Sequence, residues 1–378
     1  MPEPFKNLFN VQLIEGLGGH LKRVHPPFDV KGFIAYCTNG LDALELKERS
    51  AHITDGLEQF LPQAFEAAVT VMIDSLDPQT DAPLDATDST STPDGVRGWA
   101  IMSMADYVAR HGQENVSLSL NALKDMTSRF SSEFAIRPFL LSHPTETLKA
   151  MAKWQKDPNE HVRRLVSEGS RTRLPWGIQL KPFIADPAPV LKLLEGLKDD
   201  PSEYVRRSVA NNLNDISKDN PDVAARTAQA WIKGADENRK RLIRHALRTL
   251  IKAGHPAALK ALGYGKPKVR VETFSISTPR VQLGEAVDFE FTLASSTKNA
   301  QPLIIDYAIH HMRANGKTSP KVFKWKTVEL KGGESLTISK RHNIKPVTTR
   351  KYYSGTHKVE VLVNGVSLGV AKFELDAD

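Results

Sequence analysis

Through roughly the first 260 residues, apolar side chains recur three and four apart; from about residue 269 onward they alternate with polar ones. The first period belongs to helices that bury one face, the second to strands of a half-buried sheet. The helical pattern predicts helices over 9–24, 28–44, 46–60 and 63–76, then over 99–110, 118–130, 132–141 and 145–156. Pro26-Pro27 and His143-Pro144 act as stops. Further helices are expected over 189–197, 201–216, 221–232 and 237–252. The alternating pattern predicts strands over 269–277, 286–294, 303–308, 322–330, 335–341, 357–363 and 366–375. Asn364-Gly365 between the last two is a type I′ hairpin signal. Within 321–326, Phe323 and Trp325 should face one side and Lys324 and Lys326 the other.

One stretch, DPNEHVRRLVSEGSRTRLPWG at 157–177, organises the helical part. Asp157 is expected to cap a helix, with Pro158 at its first position and Glu160 as the capping-box acid. Val162, Leu165, Val166 and Gly169 make a buried face. Arg164, Glu168 and Arg171 fall together on the opposite arc, a carboxylate between two guanidiniums on an exposed ridge. On an isolated helix that ridge reads first as a solvated ion-pair face. Forty-three residues on, the phrase returns as Asp200-Pro201-Ser202-Glu203-Tyr204-Val205-Arg206-Arg207. A period near 40 residues is that of stacked HEAT-like helix pairs, whose equivalent helices line one concave surface. Here that surface would carry Arg164, Glu168 and Arg171, then Arg207, Asn211 and Asn214, with Asp215 at the end of the second helix. Arg244, Arg248 and Lys252 follow at four-residue steps, equally readable as a solvated face or as phosphate contacts. The expected fold is an α-solenoid of HEAT-like repeats over 1–265, followed by an immunoglobulin-like β-sandwich over 266–378.

Charge sharpens this picture. The 378-residue chain carries a formal net charge of +7, which suits an anionic partner. Residues 1–157 hold 14 basic and 21 acidic side chains, whereas 158–378 hold 37 and 23. The basic part thus begins where the repeated phrase begins. The 77–95 stretch has five aspartates and no cation, and reads as a flexible acidic loop facing away from nucleic acid. Cys37 is the single cysteine, which excludes an intrachain disulfide and a thiolate cluster. The histidines show no metal-ligand spacing, and the adjacent His310 and His311 read as surface residues on opposite faces of a strand. The start lacks a signal pattern and no apolar run approaches a membrane span, so a soluble, cytoplasmic monomer is expected. Arg350 and Lys351, beside Tyr352, Tyr353 and Gly355, suit a nucleic-acid groove as well as they suit a plain surface loop.

The phrase RRLVSEGSRTRLPW, preceded by DPNEHV and followed by DPSEYVRRSVANNLND, resembles the AlkC branch of the HEAT-like-repeat DNA alkylation repair glycosylases over nearly the whole chain. Some members of that branch carry a C-terminal immunoglobulin-like domain. The resemblance implies a monofunctional glycosylase that removes cationic N3-methylated bases, chiefly 3-methyladenine, from duplex DNA without flipping them. It places active-site carboxylates at Glu168 and Asp215, with Glu133 nearby, and DNA-facing arginines at Arg164 and Arg171. Arg173 and Trp176 of the same phrase join the expected DNA surface.

The chemistry stands independently of the resemblance. A base alkylated at N3 is already cationic and needs no acid to leave. The bond breaks toward an oxocarbenium-like sugar, so the useful group is a fixed carboxylate. A second carboxylate can position the attacking water, and arginines can hold the phosphates. Neither metal nor organic cofactor is required. The sequence displays no aromatic cluster that would form a pocket for an extruded base. The rival readings are a HEAT-type scaffold for an acidic protein and a DNA-binding protein without catalysis; free base released from methylated DNA separates all three. If the basic ridge tracks phosphates, Arg207→Ala weakens binding to any duplex and lowers the slope of log K against log salt by about one. An unchanged slope in a salt titration takes Arg207 off the phosphate path.

Overall fold

A computed structural model describes residues 4–79, 91–348 and 350–377. The chain divides into two compact units, 1–219 and 220–378. Most of the acidic stretch expected between 77 and 95 lies outside the described residues, as does Thr349.

The first unit is helical. After a 3-10 turn at Phe5–Leu8 come α1 (Val11–Val24), α2 (Val30–Thr38), a second 3-10 turn at Leu41–Ala43, α3 (Leu46–Phe60) and α4 (Phe65–Asp74). Then follow α5 (Ala100–His111), α6 (Val116–Thr127), α7 (Ile136–Ser142), α8 (Pro144–Trp154), α9 (Glu160–Gly169), α10 (Lys181–Ala185), α11 (Ala188–Leu197) and α12 (Glu203–Asp219). The apolar stripes form the core: Leu13, Leu17, Phe33, Ile53 and Leu57 are fully buried in α1 to α3, and Val166, Val209 and Leu213 in α9 and α12. Helix α7 begins later than its apolar pattern implied, so Glu133 sits in the turn before it.

The 43-residue repeat is structurally literal. Asn159, not Asp157, caps α9 by accepting from the His161 amide. Asp157 instead closes the preceding turn, accepting from the Asn159 amide at 2.9 Å, as Asp200 accepts from the Ser202 amide at 2.9 Å. The first arginine of each pair staples its own turn. Arg163 donates to the carbonyls of Asp157 and Pro158 at 2.9 Å each; Arg206 donates to those of Asp200 and Pro201 at 2.6 and 2.8 Å. Arg163 also forks onto the Asp200 carboxylate at 2.7 and 3.0 Å, tying one repeat to the next. Such bidentate pairs fix geometry as well as adding energy.

The second unit begins with α13 (Pro221–Trp231), α14 (Glu237–Ala246), α15 (Arg248–Lys252) and α16 (Pro256–Ala261). The single helix expected over 237–252 therefore breaks at Leu247, and Arg244 and Arg248 stand on different helices. Eight strands follow: β1 (Val269–Ile276), β2 (Arg280–Gln282), β3 (Ala286–Ser295), β4 (Gln301–Met312), β5 (Thr318–Leu330), β6 (Ser335–Asn343), β7 (Gly355–Val363) and β8 (Val366–Asp376). They form a three-stranded sheet, β1-β3-β6, and a five-stranded sheet, β2-β8-β7-β4-β5. The short β2, absent from the sequence pattern, pairs parallel to β8. Alternate residues of β3, β4 and β7 meet in the core, among them Phe291, Leu293, Leu303, Ile305, Val361 and Val363. Phe323 and Trp325 pack on the core cluster around Phe289 and Tyr307, as their alternation implied. His310 pairs with Glu360 at 2.7 Å, but His311 is buried rather than on the surface, because its side of β4 faces the sandwich interior. No helix among the described residues is long and apolar enough to cross a membrane.

Helix and sandwich within this unit meet at a hairpin. Asn364 and Gly365 have φ of 45° and 76°, the type I′ geometry. The Asn364 side chain accepts from the Ile304 amide and donates to the Gly265 carbonyl, both at 2.8 Å. Gly254, at φ 67°, lies so close that a Cβ there would stand 2.9 Å from the Gly365 Cα. Left-handed backbone plus a main-chain collision leaves nothing flexible to yield. Gly254→Ala is expected to destabilise the protein by about 2 kcal/mol or more. A urea melt with an unchanged midpoint would show that the two turns do not touch in solution.

Candidate active site

Helices α9 and α12 lie side by side, and their polar residues face each other. The arc of Arg164, Glu168 and Arg171 is therefore not an exposed ridge. Glu168 is 6% exposed and Asp215, facing it from α12, is 1% exposed. Asp215 is also not at the helix end, since α12 continues to Asp219.

Acids and bases alternate through this interface. Glu133 accepts from Arg164 Nη1 at 2.8 Å and from Ser131 Oγ at 2.9 Å. Arg164 Nη2 stands 3.5 Å from Glu168 Oε1, which also accepts from Arg171 Nη1 at 2.7 Å. Arg171 Nε then donates to Asp215 Oδ2 at 2.7 Å, and Lys218 donates to Asp215 Oδ1 at 2.8 Å. Ser208 Oγ donates to the second Glu168 oxygen at 2.5 Å. Behind this line, Asn212 donates to the Ser167 carbonyl at 2.8 Å and locks the two helices in register.

Burial alone would raise the Glu168 pKa, but Arg164 and Arg171 outweigh it and hold the carboxyl below its ordinary range. Burial likewise opposes the charge on Arg164 and Arg171; Glu133 and Glu168 keep the first protonated, Glu168 and Asp215 the second. The Arg164 guanidinium also stacks over the Tyr204 ring, 4.9 Å from its centroid.

This network forms one wall of a cleft of about 430 Å³. The cleft is also lined by Trp99, Phe130, Phe134, Trp176 and Tyr204, an aromatic wall that the sequence did not display. Its members come from separate helices and turns and meet only on folding; Trp99 and Phe130, for instance, have ring centroids 4.9 Å apart. Trp176 is 61% exposed and holds φ 63°, a left-handed conformation rare for an aromatic residue. Lys47 of α3 donates to its carbonyl and lies over the Phe134 ring.

The structure thus gathers Glu133, Arg164, Glu168, Arg171 and Trp176 around one cleft, with Asp215 directly behind Arg171. Arg173 forks onto Asp219, both bonds 2.6 Å, so it is engaged within the protein. Arg207 has a side chain 66% exposed and reaches Glu203 at 3.4 Å, while Asn211 is half-buried. In the second unit Arg244 donates to the Tyr264 hydroxyl at 2.8 Å and Arg248 to the His245 carbonyl at 2.7 Å. Arg350 and Lys351 lie near the rings of Tyr352 and Tyr353. Sequence reasoning missed Ser208, Tyr204 and Lys218. Ser208 did leave a signal: it stands where the earlier copy of the repeat has Leu165, a polar residue at an apolar step.

The charge on Glu168 has a pH signature. A carboxyl whose folded pKa is depressed stabilises the fold above its unfolded pKa and loses that contribution as pH falls. The Tm gap between wild type and Glu168→Gln should therefore be full at pH 7 and shrink below about 4.5, the ordinary glutamate value. Thermal melts showing a pH-independent gap would mean that Glu168 is not held ionised.

Residues 270–377 match the family profile described as "Uncharacterised protein YhaZ, C-terminal Ig-like domain". The chain is 35% identical over 362 residues to the uncharacterized protein YhaZ of Bacillus subtilis (strain 168), spanning 95% of this chain and 96% of that protein. The solved structure of Pseudomonas fluorescens alkylpurine DNA glycosylase AlkC, bound to DNA containing an abasic site analog, superposes with a TM-score of 0.84 at 38% identity. That match covers 99% of this chain and 100% of the other. With identity and fold held along essentially the full length of both chains, this protein belongs to the AlkC family of HEAT-like-repeat DNA glycosylases.

Proposed function

We propose that this protein is a monofunctional DNA glycosylase of base excision repair, acting as a monomer on duplex DNA that contains cationic N3-alkylated bases, chiefly 3-methyladenine. The observation that carries the reading is the Glu168 carboxylate, kept ionised at the wall of an aromatic cleft by Arg164 and Arg171. Solved AlkC is described as an alkylpurine DNA glycosylase, which supports the same chemistry here.

In this reading the N-glycosidic bond breaks first toward the sugar cation, and the alkylated base departs neutral. Glu168 stabilises the positive charge growing on the sugar, and that interaction strengthens only as the bond lengthens. Glu133, which lines the same cleft, accepts a proton from the attacking water or orients it. Asp215 acts through Arg171, holding it so that it cannot swing away from Glu168. Arg207 is the exposed candidate for a phosphate contact on this unit, and Arg350 and Lys351 are candidates on the sandwich. No metal or organic cofactor enters this chemistry. An aromatic wall also suits an extruded base, so the absence of flipping is carried by the family resemblance alone.

One observation favours a second reading. Glu168 and Asp215 are both fully engaged in ion pairs, as purely structural carboxylates would be. The two readings part under single-turnover conditions. Glu168→Gln and Asp215→Asn should each slow release of 3-methyladenine at saturating enzyme by about 10²-fold or more, roughly 2.7 kcal/mol of barrier, with DNA affinity nearly intact. Rates within threefold of wild type for both, alongside lowered melting temperatures, would leave the two carboxylates structural; no free base released by wild type itself would leave the protein a binding scaffold.

A further inference from the structure

Arg137 is the largest fully buried side chain among the described residues, 0% exposed, and its position suits no ordinary ion pair. Its hydrogen bonds among the described residues end on main-chain carbonyls. Nη1 donates to Gly169 and to Arg171, both at 2.8 Å, and Nε donates to Ile178 at 2.8 Å, with Nη2 reaching the same oxygen. One guanidinium thus bridges the two ends of the 169–178 segment. That segment leaves α9, carries Arg171 and Trp176, and returns toward α10. Burial and then the neighbouring Arg171 push the Arg137 pKa down to about 10, the expected consequence of a buried cation beside another. A loop stapled by a leucine or by water would avoid that cost.

The loop needs such a staple for two reasons. Trp176 is held in a left-handed conformation, which persists only where the surroundings over-determine it. Arg171 must present its Nε to Asp215 and its Nη1 to Glu168 together, so small rotations of its backbone would break one bond or the other. Gly177 packs directly beneath the clamp: a Cβ there would stand 3.2 Å from Arg137 Nε and 3.1 Å from Leu174 Cδ2.

We infer that Arg137 is a positioning residue for the active site, a clamp that fixes the 169–178 loop so that Arg171 holds Glu168 and Trp176 keeps its place on the cleft wall. The inference rests on the glycosylase reading for its kinetic half and on geometry alone for its structural half. Glu168 itself never meets Arg137 directly; the effect passes through the Arg171 backbone.

The protein has five tryptophans, so 5-fluorotryptophan labelling gives five fluorine resonances, and Trp176→Phe identifies the one from the loop. Arg137→Lys keeps the charge but cannot span both ends of the loop. It should shift and broaden the Trp176 resonance alone, slow single-turnover base release at least tenfold, and leave the Kd for a duplex with an abasic-site analogue within threefold. Gly177→Ala disturbs the clamp from the loop side without removing the buried cation, and should move the same resonance and the same rate; it decides the matter if Arg137→Lys fails to fold. An unmoved Trp176 resonance and a rate within twofold of wild type in Gly177→Ala and in folded Arg137→Lys would overturn the clamp. If wild type itself releases no base from methylated DNA, the proposed function falls and the kinetic half falls with it, while the resonance still decides whether Arg137 fixes the loop.

Discussion

Carboxylates stay charged out of water when cations or hydrogen-bond donors compensate them. Here the order is acid, base, acid, base, acid, base: Glu133, Arg164, Glu168, Arg171, Asp215, Lys218. Breaking a buried pair typically costs about 3–5 kcal/mol, and here the removal of Arg164 would leave Glu133 at the end of the line without its cation, whereas each interior member has a second partner. The line runs from the turn before α7, along α9, and across to α12. The same contacts therefore stack one repeat on the next and set the electrostatics of the cleft. Stability and the charge of the cleft wall are not separable in this part of the molecule.

Much of this was legible in the sequence because it was periodic. The repeat of Asp-Pro, acid, valine and paired arginines announced a stacked helical array, and the pairing of Arg164 with Glu168 on one arc followed from the helix angle, whereas Arg171 reaches Glu168 from the loop beyond the end of α9. What the helix angle could not give was which arc is buried. In an isolated helix the polar arc faces water. In a stack of repeats both arcs meet neighbours, and Ser208 and Asp215 on α12 turn this one into an interior. The aromatic wall escaped for a different reason: Trp99, the Phe130–Phe134 turn and Trp176 are separated by about 30 to 40 residues each and follow no common period. Arg137 carries no local signal, because its carbonyl partners lie more than 30 residues away.

The sandwich illustrates the complementary case. Alternation located seven of its eight strands, and the Asn364-Gly365 turn fixed the last pairing. The strand that was missed, β2, spans three residues and pairs parallel, a combination too short to show alternation. The resolved compact unit also takes in α13 to α16, where Leu259 and Tyr264 pack against Ile304 of β4.

The paired arginines hold a last consequence. In both copies of the repeat the first arginine is spent on its own turn, with the same two carbonyls as partners. The second is left without that duty: Arg164 joins the buried relay, whereas Arg207 stands largely in solvent. Duplication of such a unit delivers a spare guanidinium at a fixed place and angle, with folding already secured by its neighbour. One copy can then be recruited for chemistry while the other stays on the surface, and neither choice disturbs the helix that carries it. A two-residue motif of this kind lets a repeat array acquire a new site by changing what surrounds an existing side chain instead of changing the side chain itself.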